Sequence, residues 1–213
     1  MTEIKHPKHD FMIERIAFFS DAVFAIAITL MAIEIHPPIV NKGDSFAIIW
    51  DHFKELLPEF FGLLVSFWLI ASVWLRHHQL FRYVDNFDIR FMVVNLWLLF
   101  TIILFPFSTG FLFNSIFHGA VTKLQVFFYL GVPLTSNIII YLMYKNVNKK
   151  QLKGEADIRF HKAVFSQGTL IISFLLVITW VAIMPMEYHA FGYSFFGITP
   201  LISSVFKKKL IKK

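Results

Sequence analysis

The 213-residue chain contains no cysteine. Disulfides and thiolate metal sites are therefore excluded, and the redox compartment stays open. Neither H-E-x-x-H nor G-x-S-x-G occurs. An intramembrane enzyme would need such a constellation, or another nucleophile with its base, facing a water-filled cavity. The chain therefore reads as a non-enzyme with no cofactor. No short apolar core with a small-residue cleavage site opens the chain, so no removable signal peptide is expected. A large soluble domain, a low-complexity segment and an internal repeat are all missing too. Residues 1–213 read as one membrane domain.

What is present is apolar. Hydrophobic residues make up 57% of the chain, and 27 residues are Phe. A soluble domain sits nearer roughly 45–50% apolar, so the excess points to a bilayer as solvent. About 20 apolar residues span the hydrocarbon as a helix. Six stretches meet that length or come close: residues 16–35, 56–76, 89–109, 124–144, 163–184 and the shorter 189–206. Pro58 is tolerable in an opening turn, whereas Pro133 predicts a kink. The few residues around Pro185–Tyr188 predict a tight hairpin between the last two spans. The fold expected is all-α, with six transmembrane helices.

Lys and Arg settle the orientation, because cytoplasmic flanks hold the excess. Six spans put both termini on one side, and that side collects seventeen of the twenty basic residues. Only Lys42, Lys54 and Lys123 fall opposite. A multi-pass protein of the cell membrane with cytoplasmic N- and C-termini is expected. The net charge of +6 is thus a topology signal. The tail "KKKLIKK" suits contact with anionic lipid. Nucleic-acid binding would need a basic stripe on a soluble face, which this distribution does not supply.

The first span, "RIAFFSDAVFAIAITLMAIEI", carries ionisable residues where they are expensive. At 100° per residue Ala22, Ile26, Thr29, Leu30 and Ile33 share a narrow stripe, and Asp21 points well away from it. The second span ends in "WLRHHQLF", with Trp74, His77, His78 and Phe81 spaced i, i+3, i+4, i+7. The third span brings Asn95 to the same depth. Arg15, Ser20, Asp21, His77 and Asn95 are expected to meet as a structural polar cluster near the cytoplasmic boundary, with Asp21 locking three helices. A proton relay and an ion ligand are the other readings of Asp21. Adjacent histidines diverge around a helix and make a poor metal site without further ligands, so one is expected in the cluster and no metal is assigned.

The residues "RIAFFSD" fit R-x-x-x-F-S-D, the signature that opens the first helix in the transmembrane protein 175 family of potassium channels, which this chain resembles. "AVFAIAITLMAIEI" is similar to that family's pore helix, and "WLRHHQLF" resembles its W-x-x-H-H motif. The motifs cover the first three spans, and the last three agree by hydropathy only. The resemblance implies a homotetramer whose central pore is lined by the first helix of each subunit. It implies constriction rings at Ile26, Leu30 and Ile33, and a hydroxyl ring at Thr29 concerned with potassium preference. No T-V-G-Y-G filter loop is present. The implied function is a potassium-preferring channel passing monovalent cations passively through the lipid bilayer.

Plainer readings stand beside these. Without the family, apolar residues at helical spacing are ordinary packing, and a Thr hydroxyl in a membrane helix commonly bonds a carbonyl one turn back. Glu34 reads as a loose cation-attracting ring or as a solvated face. Arg15 falls close to the pore stripe on an ideal wheel, with bending back to its acidic partner as the expected relief. The alternative function is a proton-coupled secondary transporter with Asp21 and His77 as relay. Its broken helices would be sought at Gly131–Pro133 and Gly197–Pro200.

Overall fold

A backbone inside hydrocarbon satisfies its N–H and C=O groups within its own segment, so long apolar runs fold as helices. The structure, a computed structural model, describes residues 7–33, 35, 37–84, 88–117, 120–147 and 154–192. Its long helices are α1 (Pro7–Ile33), α3 (Leu57–Phe81), α4 (Ile89–Phe117), α5 (Lys123–Asn146) and α6 (Glu155–Ile183). A ten-residue α2 (Phe46–Glu55) precedes α3. One 3-10 turn (Met186–Tyr188) and a short α7 (His189–Gly192) follow α6. No strand occurs among the described residues. Among the described residues five segments are long and apolar enough to cross a membrane.

The first five expected spans coincide with these helices, but the helices overrun them. α3 continues past residue 76 to Phe81, and α6 starts eight residues before 163. Hydropathy marks the width of the hydrocarbon, whereas a helix continues into the interfacial layers. The sixth expected span, 189–206, begins in α7, and from residue 193 it lies outside the described residues, as does the basic tail. The expected turn before it is present. Trp180 Nε1 donates to the Tyr188 carbonyl at 2.9 Å, and His189 Nε2 donates to the Met184 carbonyl at 3.0 Å. A Cβ at Gly192 would stand 2.6 Å from Trp180 Cδ1, so the chain folds closely back on α6.

Two expectations need correction. Residues 36–55, which connect the first two expected spans, are not all loop but contain α2. Ser45 caps it by accepting from the Ile48 amide, and Phe46, Trp50 and Phe53 stack at i, i+4, i+7 along one side. Gly131–Pro133 was a candidate break, yet α5 runs through it. The counterpart at Gly197–Pro200 lies outside the described residues.

α1 packs against α3 and α4, α4 against α5, and α5 against α6, with α3 also touching α5. Phe24, Ile70, Leu98, Ile102, Phe105, Ile140 and Met143 are buried where these helices converge. A second cluster around Phe113, Tyr129 and Phe174 fills the bundle between α4, α5 and α6. Lipid tails are as apolar as these side chains, so the clusters stabilise by close packing rather than by escape from water. Gly62 shows how close. A Cβ there would stand 2.6 Å from Cδ2 of the Phe113 ring. Gly62→Ala is expected to cost about 1–3 kcal/mol by overpacking and to lower the melting temperature of the detergent-purified protein. An unchanged melt would mean that the Phe113 ring swings aside freely.

Candidate pore-lining helix and its polar anchor

Two sides of α1 differ in chemistry. Ser20, Phe24, Ala27 and Met31, at helical spacing, are buried. On the other side Ile26, Leu30 and Ile33 are 58%, 42% and 71% exposed, with Ala22, Ala25 and Thr29 exposed among them. The outward faces of α3 and α4 are bulkier, with Phe61, Leu64, Phe67 and Trp68 on one and Trp97, Phe100, Ile103 and Phe107 on the other. Thr29 Oγ1 donates to the Ile26 carbonyl at 2.9 Å, so its proton is committed within the helix while its oxygen faces out. Glu34 lies outside the described residues.

The azimuth of α1 is set by hydrogen bonds. Ser20 Oγ donates to the Ile16 carbonyl at 2.8 Å and accepts from Asn95 Nδ2 at 2.9 Å. Asn95 Oδ1 lies 2.9 Å from His77 Nε2. The donor at that last contact must be the imidazole N–H, because a carboxamide oxygen only accepts. One carboxamide therefore ties α1, α3 and α4 together. All three side chains are buried, Ser20 and His77 to 1% exposure or less. Phe24 and Phe81 pack their rings 5.5 and 4.5 Å from the His77 ring and shield it from solvent.

The expected cluster of five is thus only partly assembled, and the lock is Asn95 rather than Asp21. Asp21 is half-buried, and its Oδ1 accepts from Trp74 Nε1 at 2.8 Å, a contact between α1 and α3 alone. Arg15 is exposed and does not bend back to Asp21. Its guanidinium sits 5.8 Å from the centre of the Phe11 ring, one turn back on the same side of the helix. It lines a groove with Asn95 but makes no hydrogen bond or ion pair among the described residues. The reason is geometric: Arg15 and Asp21 are six residues apart and project to different sides of the helix. The histidines part as expected. His77 is buried, while His78 is exposed with its ring 5.7 Å from that of Trp74. Trp74 was singled out by spacing alone; its role as indole donor to Asp21 was missed. No cluster of three potential metal ligands occurs among the described residues.

Asn95→Leu removes the bridge and strands His77 Nε2 away from water, while Ser20 Oγ keeps its bond to the Ile16 carbonyl. A stranded group costs about 1–3 kcal/mol, so a loss of several degrees in melting temperature is expected, with Asn95→Gln milder. Equal melting of Asn95→Leu and the parent would show that the bridge does not hold α1.

Comparison with known proteins places this geometry. Residues 15–106, which carry most of α1, all of α2 and α3 and the first part of α4, match the family model described as endosomal/lysosomal potassium channel TMEM175. A protein named as a potassium channel in Chamaesiphon minutus is 28% identical over 178 residues, covering 79% of this chain and 87% of that one. One similarly named in a Chryseobacterium species is 28% identical over 198 residues, covering 93% and 95%. The crystal structure of a lysosomal potassium-selective channel TMEM175 homolog from Chamaesiphon minutus superposes with a TM-score of 0.68 at 26% identity, covering 93% of this chain and 97% of that one. That family is one of ion channels, not enzymes. With its signature residues on α1 and α3, and with similarity over most of its length in both sequence and fold, this multi-pass membrane protein is similar to the potassium channels of the TMEM175 family.

Proposed function

We propose that the chain is the subunit of a passive, potassium-preferring cation channel of the cell membrane, a homotetramer with α1 of each subunit around a central pore. The observation that carries this reading is the outward face of α1. It is the side turned away from the subunit's own core, and it mixes small residues and a hydroxyl with Ile26, Leu30 and Ile33. Small residues let helices approach one another, whereas the aromatic faces of α3 and α4 suit lipid. One helix per subunit cannot enclose a pore, so assembly is part of the proposal.

In the tetramer Ile26, Leu30 and Ile33 form apolar rings separated by roughly 6 and 4.5 Å along the helix axis. A narrow apolar ring holds water poorly and gates by dewetting. Thr29 supplies the polar layer between two of them. With its proton given to the Ile26 carbonyl, its oxygen turns lone pairs toward a passing cation. Four such oxygens replace fewer water ligands than a carbonyl cage does, so selectivity is modest. No cofactor is required. Both termini lie in the cytoplasm on the balance of basic residues, and a sixth helix follows the turn at Pro185–Tyr188. The chain Ser20–Asn95–His77 holds α1 in place, and Asp21 serves the same end through Trp74.

Proteoliposomes loaded with potassium, with sodium-loaded controls, test this directly. Rapid flux that prefers potassium and persists without a proton gradient is expected; flux that saturates and requires the gradient would establish the transporter instead. Ile26→Asn wets the constriction and raises flux severalfold, and unchanged flux would remove Ile26 from the pore. Thr29→Ala is expected to narrow the difference between potassium and sodium. Because Thr29 is exposed in the subunit, its stability should change by no more than about 0.5 kcal/mol.

A further inference from the structure

Arg76 is not accounted for by conduction. It sits on α3 one turn and a half before the helix ends, half-buried between α3, α5 and α6. Only Nη1 is engaged, donating to Ser72 Oγ and to Asn137 Oδ1, each at a long 3.3 Å. A guanidinium has five N–H donors, so Nε and Nη2 keep three without a partner among the described residues. It lines a cavity of about 250 Å³ with Ser72, Gln79, Tyr144, Ser166 and Gln167. Among the described residues no carboxylate borders that cavity.

The polar lining is built rather than incidental. Gln167 is fully buried, and its Nε2 donates to both the backbone carbonyl and Oδ1 of Asn137 at 2.8 Å. Asn137 Nδ2 in turn donates to the Pro133 carbonyl at 2.7 Å. These bonds fix the oxygen that Arg76 grips, and they leave Gln167 Oε1 buried with no partner. The Tyr144 hydroxyl donates to the Arg76 carbonyl at 3.4 Å and steadies α3 against α5. A positive charge placed this deep, with three of its five donors unused and no acid beside it among the described residues, is costly unless something supplies charge and acceptors. Water supplies acceptors but no charge.

We propose that this cavity binds a phosphate group, held by the Arg76 guanidinium with the Ser166 hydroxyl and the Gln79 amide as further donors. A planar guanidinium fork matches two phosphate oxygens. The cavity has room for it, since about 250 Å³ is several times the ~30 Å³ share of one liquid water. The position, about 8 Å of helix from the end of α3, is headgroup depth, so a phospholipid such as phosphatidylglycerol is one source and free phosphate the other. A donor on the same molecule, such as a glycerol hydroxyl, would satisfy Gln167 Oε1. The site is separate from the outward face of α1 and does not depend on which ion crosses the pore.

The test is native mass spectrometry of the purified full-length protein with phosphatidylglycerol or with diacylglycerol, which lacks the phosphate, alongside melting curves with inorganic phosphate at constant ionic strength. A lipid site predicts preferential retention of phosphatidylglycerol, weakened at least roughly tenfold in Arg76→Gln, with no stabilisation by inorganic phosphate. A free-phosphate site predicts a higher melting temperature in inorganic phosphate, lost in the same variant. Ser166→Leu fills the cavity without touching the Arg76 hydrogen bonds, so it should abolish either signal even where Arg76→Gln does not fold. Equal retention of the two lipids with no effect of inorganic phosphate on the parent protein would overturn the proposal. Binding that survives in Ser166→Leu would overturn it as well.

Discussion

The hydrogen bonds joining Ser20, Asn95 and His77 determine what every other residue of α1 can do. Inside a bilayer no water competes for these groups, and rotating α1 by one residue would take the Ser20 oxygen away from Asn95 Nδ2 and strand that amide. With Ser20 turned toward Asn95, Phe24, Ala27 and Met31 must follow it inward. Ile26, Thr29, Leu30 and Ile33 are then carried to the far side by the helical period alone. The pore-lining face proposed for this helix is thus a consequence of the anchor at its other side.

The same device recurs through the bundle with different partners. Thr109 Oγ1 donates to Ser66 Oγ at 2.8 Å, and Ser66 lies 3.0 Å from the Tyr129 hydroxyl, joining α4, α3 and α5. Arg76, Asn137 and Gln167 join α3, α5 and α6. Each link uses short polar side chains at places where helices approach closely, which is how membrane bundles gain specificity when apolar burial offers little. α3 takes part in all three. The chain is therefore held as overlapping triples of helices that share α3, and α1 is tied to only one of them. Its outward face takes part in none of these links.

Much of this was legible in the sequence because hydropathy length and helical period are local properties. The five long helices, the stripe on α1 and the divergence of His77 from His78 all follow from spacing within one segment. What spacing could not supply was the pairing between segments. Arg15 and Asp21 read as partners because their charges are opposite, yet six residues of helix turn them apart and the ring of Phe11 receives the guanidinium instead. Asp21 read as the lock because a carboxylate is the costliest group in the helix, yet a single indole N–H from Trp74 serves it, and the lock fell to an uncharged carboxamide. α2 was passed over because ten residues are too few to span, although Ser45 and the ladder Phe46, Trp50, Phe53 carry both a cap and a period. Gly131–Pro133 was a candidate break only under the transporter alternative, and α5 runs through it.

The central claim is that the two sides of α1 face different worlds, one the subunit core and the other an aqueous pore. The chain has no native cysteine, so single cysteines can be placed along α1 and probed without background. The measurement is inhibition of flux by a small, charged, membrane-impermeant thiol reagent at successive positions. The account predicts block at 26, 30 and 33, and none at 24, 27 and 31, in a pattern of helical period. Uniform insensitivity at 26, 30 and 33, or block centred on 24, 27 and 31, would contradict it.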